Sequence, residues 1–367
     1  MRVLAALSGG VDSAVAAALA LEAGHEVAGV HLGLANGCTS DDATDARHVA
    51  DSLGISCDVW DLSEEFERLV LADFLAQYAA GRTPNPCVRC NDQVKFGVLV
   101  DQAAARGFDA VCTGHYAQVT VAAGGVQPGQ VTTVASGGEV QPGQVVLRRG
   151  AYIPKDQSYV LAAAGPARLA HAMFPLGVTT SKDEVRALAA ARGLPVATKG
   201  DSLDLCFVPD GDLRGYLRER LGPAPGEIVE TDGTVVGHHD GTYGFTIGQR
   251  RGLHIGRPAT DGHPRYVVAL DPATRQVVVG PAQALDVKTI TATTPVWFAP
   301  EPSTPTRYLV QVRAHADPVP AMITSSGTTL TIHLDTPLRG VAPGQSAVCY
   351  DADRVVVQAT ITAAIGS

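Results

Sequence analysis

Two stretches of the chain hold side chains arranged for reaction rather than for packing. In "LSGGVDS" (7–13) a glycine pair stands between two serines, with Asp12 close behind it. Glycines let a backbone approach an anion closely, and N–H groups at the start of a helix hold phosphate with help from the helix dipole. The stretch lacks the Gly-Lys-Ser/Thr of a Walker A loop and does not match Gly-x-Gly-x-x-Gly. Its serines and amides suit a leaving pyrophosphate, and Asp12 suits Mg²⁺. In "TPNPCVRCN" (83–91), Cys87 and Cys90 form a Cys-x-x-Cys pair behind two prolines. Such a pair is a metal clip, a redox pair, or half of a catalytic site completed elsewhere. A structural zinc would need a second Cys-x-x-Cys or a spaced histidine pair, and the adjacent His238 and His239 supply that poorly. A thioredoxin-like pair would stand between a strand and a helix, without proline flanks.

These residues need a scaffold, and the first third of the chain alternates strands with helices. "RVLAAL" (2–7) reads as a strand running into the glycine turn, and "SAVAAALALEAG" (13–24) as the following helix, closed by Gly24. Further strands are expected at 25–34, 56–62 and 109–115, with helices at 42–54 and 94–107. This rhythm implies βαβ units and a mainly parallel sheet. Within 119–149, "GGVQPGQV" (124–131) recurs as "GEVQPGQV" (138–145), which reads as an extended β-hairpin. Helices return between 157 and 193, where Ser181 and Glu184 form a capping box. From about 207 the texture changes to short strands, among them "TYGFTIG", "RYVVALD", "QVVVG", "TLTIHL" and "RVVVQATI", separated by Gly, Pro and Asp turns. Boundaries near 207 and 280 give three domains: 1–206, 207–280 and 281–367.

A chain of 367 residues exceeds one ordinary core, which agrees with such a division. Seven cysteines, an odd number thinly spread, speak against a secreted disulfide framework. A cytoplasmic location is expected, with no signal peptide and no membrane span. Cys38, Cys57, Cys112 and Cys349 lie in or beside apolar segments and read as inert small hydrophobes. The formal charge of −9 excludes indiscriminate nucleic-acid binding while leaving room for a local basic patch.

The glycine turn resembles that of the PP-loop ATP pyrophosphatases. Further stretches narrow the group: "TPNPCVRCN", "TGHYA" (113–117), "KDQSYVL" (155–161), "DSLDLCFVPDGD" (201–212), "HHDGTYGFTIGQRRGLHIG" (238–256) and "APGQSAV" (342–348). With these the chain resembles the tRNA-specific 2-thiouridylases, in order and over nearly its whole length. The resemblance implies an adenine-nucleotide hydrolase-like α/β domain, a small central β-rich domain and a C-terminal tRNA-binding β-barrel. It implies ATP and Mg²⁺ as cofactors. The partners it implies are a tRNA with a modifiable wobble uridine and a sulfurtransferase or cysteine desulfurase as sulfur donor. Ala6, Leu7, Ser8, Gly9, Gly10, Val11, Asp12, Ser13, Leu32 and Gly114 would line the ATP site. Cys206 matches the cysteine that carries a persulfide, and Cys90 its partner. Asn85, Pro86 and Cys87 fall where the target base is met, and His115, Lys155, Asp156, Gln157, Arg313 and Gln345 where tRNA is touched.

The chain departs from the family at Cys87, where many members have an acidic residue, and after Arg313, where "VRAHAD" lacks the usual aromatic. Its 124–145 segment is also longer than the family needs. The extra thiol leaves two chemistries open. Either Cys90 and Cys206 relay a persulfide sulfur, or Cys87, Cys90 and Cys206 together hold a [4Fe–4S] cluster with one iron open to carry sulfide.

Overall fold

The structure, a computed structural model, describes residues 1–35, 40–121, 144–200, 205–256 and 262–366. Its first sheet is built from β1 (Arg2–Ala6), β2 (Glu26–Gly33), β3 (Cys57–Asp61), β4 (Ala110–Cys112) and β7 (Ala172–Met173). They lie in the order β3-β2-β1-β4-β7, and every pairing is parallel. The apolar runs of β1 and β4 are buried on both faces by helices, which is why they read as unbroken hydrophobic stretches rather than as alternation. The chain lays β2 and β3 on one side of β1 and returns to place β4 on the other. The crevice beyond the C-terminal ends of β1 and β4 is therefore the switch point at which open α/β sheets bind ligands.

Helix α1 (Val11–Glu22) starts directly after the glycine turn, and Gly24 beyond its end takes a left-handed φ of +81°. Helix α2 (Ser40–Leu53) follows β2. The capping box forms: the Glu184 N–H donates to Ser181 Oγ at 3.1 Å. The Glu184 carboxylate, however, reaches the N–H and hydroxyl of Thr180. The helix expected at 94–107 begins earlier. An unbroken helical run covers 86–105, wound more loosely as a π-helix over Asn91–Val98. Asn-Pro is its start signal: Asn85 caps the helix and Pro86 occupies the first turn, where a missing N–H costs nothing.

The central segment forms a four-stranded sheet from β8 (Gly226–Glu230), β9 (Val235–His239), β10 (Tyr266–Asp271) and β11 (Gln276–Gly280), in the order β10-β11-β8-β9. "TYGFTIG" is not one of its strands. Thr242–Gly244 is a 3₁₀ turn, with the Phe245 N–H donating to the Thr242 carbonyl, because glycines at 241, 244 and 248 favour turning over extension.

The last third is a closed barrel of six antiparallel strands. β12 (Asp286–Trp297), β15 (Thr329–Arg339), β14 (Val319–Ser326), β13 (Thr306–Gln311), β16 (Ser346–Asp351) and β17 (Arg354–Gly366) run in that order, and β17 pairs back onto β12. Two strands from the first part of the chain, β5 (Ala117–Val121) and β6 (Val145–Arg149), extend this sheet through β17. They are the ends of the expected hairpin, whose repeated middle lies outside the described residues. One core follows from the arrangement: Leu4, Phe96, Leu147 and Tyr159 pack with barrel residues Phe298, Val348 and Tyr350.

Candidate active site

The glycine turn occupies the crevice at the sheet's switch point. Leu7 leaves β1 with its N–H bonded to the Val30 carbonyl, and its own carbonyl accepts a hydrogen bond from His31 Nδ1 at 2.9 Å. Ser13 closes the turn from inside: its hydroxyl donates to the Gly10 carbonyl at 3.0 Å and accepts the Ser8 N–H at 3.1 Å. The N-terminus of α1 presents N–H groups that have no partner within the helix, and no side chain caps them at Gly10. Gly114, at the end of β4, is pressed against this turn. A Cβ there would stand 2.6 Å from the Asp12 carbonyl carbon and 2.7 Å from the Ser13 nitrogen. Leu32 stands near the C-terminal end of β2, half-buried. Residues 6–13 and Gly114 are thus assembled around one cradle that fits a phosphate chain.

Asp12 is engaged on both carboxylate oxygens. Lys182 Nζ lies 2.8 Å from each, and the Tyr116 hydroxyl donates to Oδ1 at 2.7 Å. A Mg²⁺ held by Asp12 would share the carboxylate with this lysine or displace it. Lys199 makes a second cationic link next to the turn, to Asp42 at 2.8 Å and Asp45 at 2.6 Å. Sequence reading missed Lys182 and Tyr116. Both lie inside stretches it had marked, the capping box and "TGHYA", but only the fold brings them to Asp12.

The second half of the site is the start of the helical run 86–105. The Asn85 carboxamide accepts from the Cys87 and Val88 N–H groups at 3.0 and 3.3 Å. Cys87 is exposed, whereas Cys90 is turned inward. Cys90 shares a buried cluster with Phe66, Phe74, Phe207 and Val208. Phe207 and Val208 directly follow Cys206, so the chain carrying the exposed Cys206 is anchored in the same core as Cys90. Cys112 and Cys349 differ in kind: both are wholly buried, and burial pushes the Cys112 thiol up to about 12 and raises that of Cys349 further. Among the described residues no three His, Cys, Asp or Glu side chains gather to hold a metal ion.

Three family domains match the chain: a tRNA methyl transferase HUP domain over residues 1–210, a tRNA methyl transferase PRC-barrel domain over 214–281, and an aminomethyltransferase β-barrel domain over 287–361. A tRNA-specific 2-thiouridylase MnmA of Beutenbergia cavernae is 54% identical, over 99% of this chain and 95% of the relative. The chain belongs to the tRNA-specific 2-thiouridylase family. Relatives of the same name from Streptomyces avermitilis, at 52% identity over 98% of this chain and 94% of theirs, and from Acidothermus cellulolyticus, at 51% over both whole chains, agree.

Several positions that the family resemblance marks for tRNA have structural duties here. His115 is buried against Phe96 and Phe174, with Nδ1 2.7 Å from the Thr113 hydroxyl. Burial, and secondarily the Lys95 charge, keep its imidazole neutral by holding its pKa well below the ordinary value. Asp156 is nearly enclosed and accepts from Arg149 Nε, the Gly150 N–H and both the N–H and hydroxyl of Ser158. Gln157 exchanges two bonds with the Tyr116 backbone. Arg313 is exposed, and its guanidinium donates to the Gly340 carbonyl. Gln345 Nε2 donates to the Thr83 carbonyl at 2.6 Å. Lys155 remains half-exposed at the end of the short turn Ile153–Lys155.

Proposed function

We propose that this chain catalyses the ATP-dependent 2-thiolation of the wobble uridine of tRNA in the cytoplasm. The observation that carries the reading is the end-to-end match to curated 2-thiouridylases at half identity or better. The chemistry agrees with the residues. A uracil 2-oxygen is a poor leaving group, and its attack on the ATP α-phosphate converts it to one that departs as AMP, with pyrophosphate released into the glycine turn. Backbone amides of residues 9–12 and the Ser8 and Ser13 hydroxyls receive the pyrophosphate. Mg²⁺, when bound, neutralises the phosphate charge, with Asp12 its ligand from this chain.

Sulfur arrives on Cys206 as a persulfide from a donor sulfurtransferase or cysteine desulfurase. The terminal sulfur attacks C2 and AMP leaves. The Cys90 thiolate then attacks Cys206 Sγ, forming a Cys90–Cys206 disulfide and leaving the second sulfur on the base. A thiol reductant returns both cysteines to the start. Sulfide carried on a [4Fe–4S] cluster held by Cys87, Cys90 and Cys206 is the second route, and iron and sulfide assay of anaerobically purified protein separates the two. Asn85, Pro86 and Cys87 border the target base, and Lys155 and Arg313 meet RNA phosphates.

The test is nucleoside analysis of tRNA from cells lacking the protein, together with reconstitution from purified protein, ATP, tRNA and a persulfide donor. Loss of wobble 2-thiouridine and its ATP-dependent restoration are expected. Unchanged 2-thiouridine in the deleted strain would overturn the assignment.

A further inference from the structure

The segment that leads into the cysteine helix is gripped by both later parts of the chain. Thr83 donates its N–H to the Pro343 carbonyl at 2.9 Å and accepts at its own carbonyl from Gln345 Nε2 at 2.6 Å. Two bonds about one residue make a short ladder between Thr83 and the barrel turn 342–345. Gly344 sits at its centre with φ +94°, where a Cβ would lie 3.2 Å from Arg82 Cβ and the Thr83 backbone. The turn is itself tied to β17: the Gly344 N–H donates to the Ile361 carbonyl, and the Ile361 N–H to the Gln345 carbonyl, each at 2.8 Å. On the opposite side Gly81 is pressed against Pro272 of the central sheet domain.

From this grip to the first thiol the chain is stiff. Pro84 and Pro86 fix their own φ and confine the residues before them to extended backbone. Asn85 has φ −108° and ψ 102°, and its side chain is bonded onward to the Cys87 and Val88 N–H groups. A displacement at Thr83 has no loose residue in which to dissipate before Cys87.

We propose that Gln345 is a positioning residue, through which the barrel turn 342–345 sets where the first turn of the cysteine helix stands in the active site. This rests on the reading of the Cys87–Cys90 helix as part of the reacting centre. In this structure the Gln345 side-chain N–H is engaged by the Thr83 carbonyl.

The experiment uses the full chain with Gln345→Ala and Gly344→Ala, each checked for folding by circular dichroism and melting. The first readout needs no reaction: backbone hydrogen exchange over 82–90, and the alkylation rate of Cys87 by iodoacetamide, located by peptide mass spectrometry. Both should rise several-fold in each variant, while exchange in β1 stays as in the unmodified chain. The second readout is thiolation, where kcat should fall on the order of tenfold, since small misplacements of reacting groups cost this much or more, with the KM for tRNA little changed. Gln345→Lys, which restores an N–H donor with sufficient reach, should recover most of the loss. Gln345→Glu, equal in size but an acceptor facing the Thr83 carbonyl, repeats the test without truncation should the alanine variants fail to fold. A raised KM for tRNA with kcat, exchange and alkylation unchanged would make Gln345 an RNA contact and overturn the proposal. If the unmodified chain does not thiolate tRNA, exchange and alkylation still decide the grip, and only the functional reading falls.

Discussion

The glycine turn is shaped by its own neighbourhood, whereas the cysteine helix is placed from afar. Around the turn, Ser8, Gly10 and Ser13 bond to one another within six residues, and the more distant partners Gly114, Tyr116 and Lys182 all belong to the same α/β domain. The helix at Cys87 is begun by a local cap, but its approach is fixed by Pro272, Pro343 and Gln345, which come from the other two domains. A nucleotide site of this kind survives as a movable motif because it carries its own geometry. The approach to the cysteine helix instead takes its geometry from all three domains.

The largest effect that separates the two regions is expected from Cys206→Ser. Thiolation should drop to background while tRNA-dependent pyrophosphate release stays measurable, since the adenylating half of the site is untouched. Normal yields of 2-thiouridine from this variant would show that the two halves are not divided as argued. A smaller but still strong effect should follow from Gly114→Ala. Its Cβ intrudes on the Asp12 and Ser13 backbone, and overpacking of about 1–3 kcal/mol felt at the turn would weaken ATP binding by roughly 5-fold to 100-fold. Calorimetric titration with ATP measures this, and Cys87 alkylation should be unmoved. A change in Cys87 reactivity would mean that the turn and the helix are coupled after all.

The smallest effect concerns acid stability at His115, which lies between the two regions. Its folded pKa is depressed by burial, so its contribution is complete above the ordinary imidazole value of about 6.5 and is lost as pH falls below it. Melting temperature should therefore decline from neutral pH towards pH 5, and His115→Gln should show a shallower decline. An identical slope in the two proteins would remove His115 from the acid response.

What the sequence disclosed follows the same division. Ser-Gly-Gly-Val-Asp-Ser between an apolar run and an alanine-rich helix announces a strand, a phosphate turn and a helix, because each signal acts over a few residues. Ser181 and Glu184 were legible for the same reason. The helix start at Asn85-Pro86 went unread, although an asparagine cap before a first-turn proline is also a local signal. The Asp12–Lys182 pair spans 170 residues, and no local pattern announces a contact at that distance. Gln345 and Asp156 fall on motif positions that the resemblance assigns to RNA, and the fold adds hydrogen bonds within the protein that no motif announces. A motif marks that a residue type is needed and is silent about which atom it faces.

The joining of β5 and β6 to β17 has a consequence for how the protein is made. Translation delivers β5 and β6 long before β17, at whose start Asp353 and Arg354 meet Arg148 and Arg149. Until β17 has emerged, the outer edge of β6 is unpaired and Leu147 lacks the barrel side of its core. The nascent α/β domain thus carries an open strand edge through most of synthesis, which is an aggregation hazard and a site for chaperone attention. Contacts of such large sequence separation also make completion of the core slow. Emergence of β17, rather than of the first domain, is the event that completes this shared core.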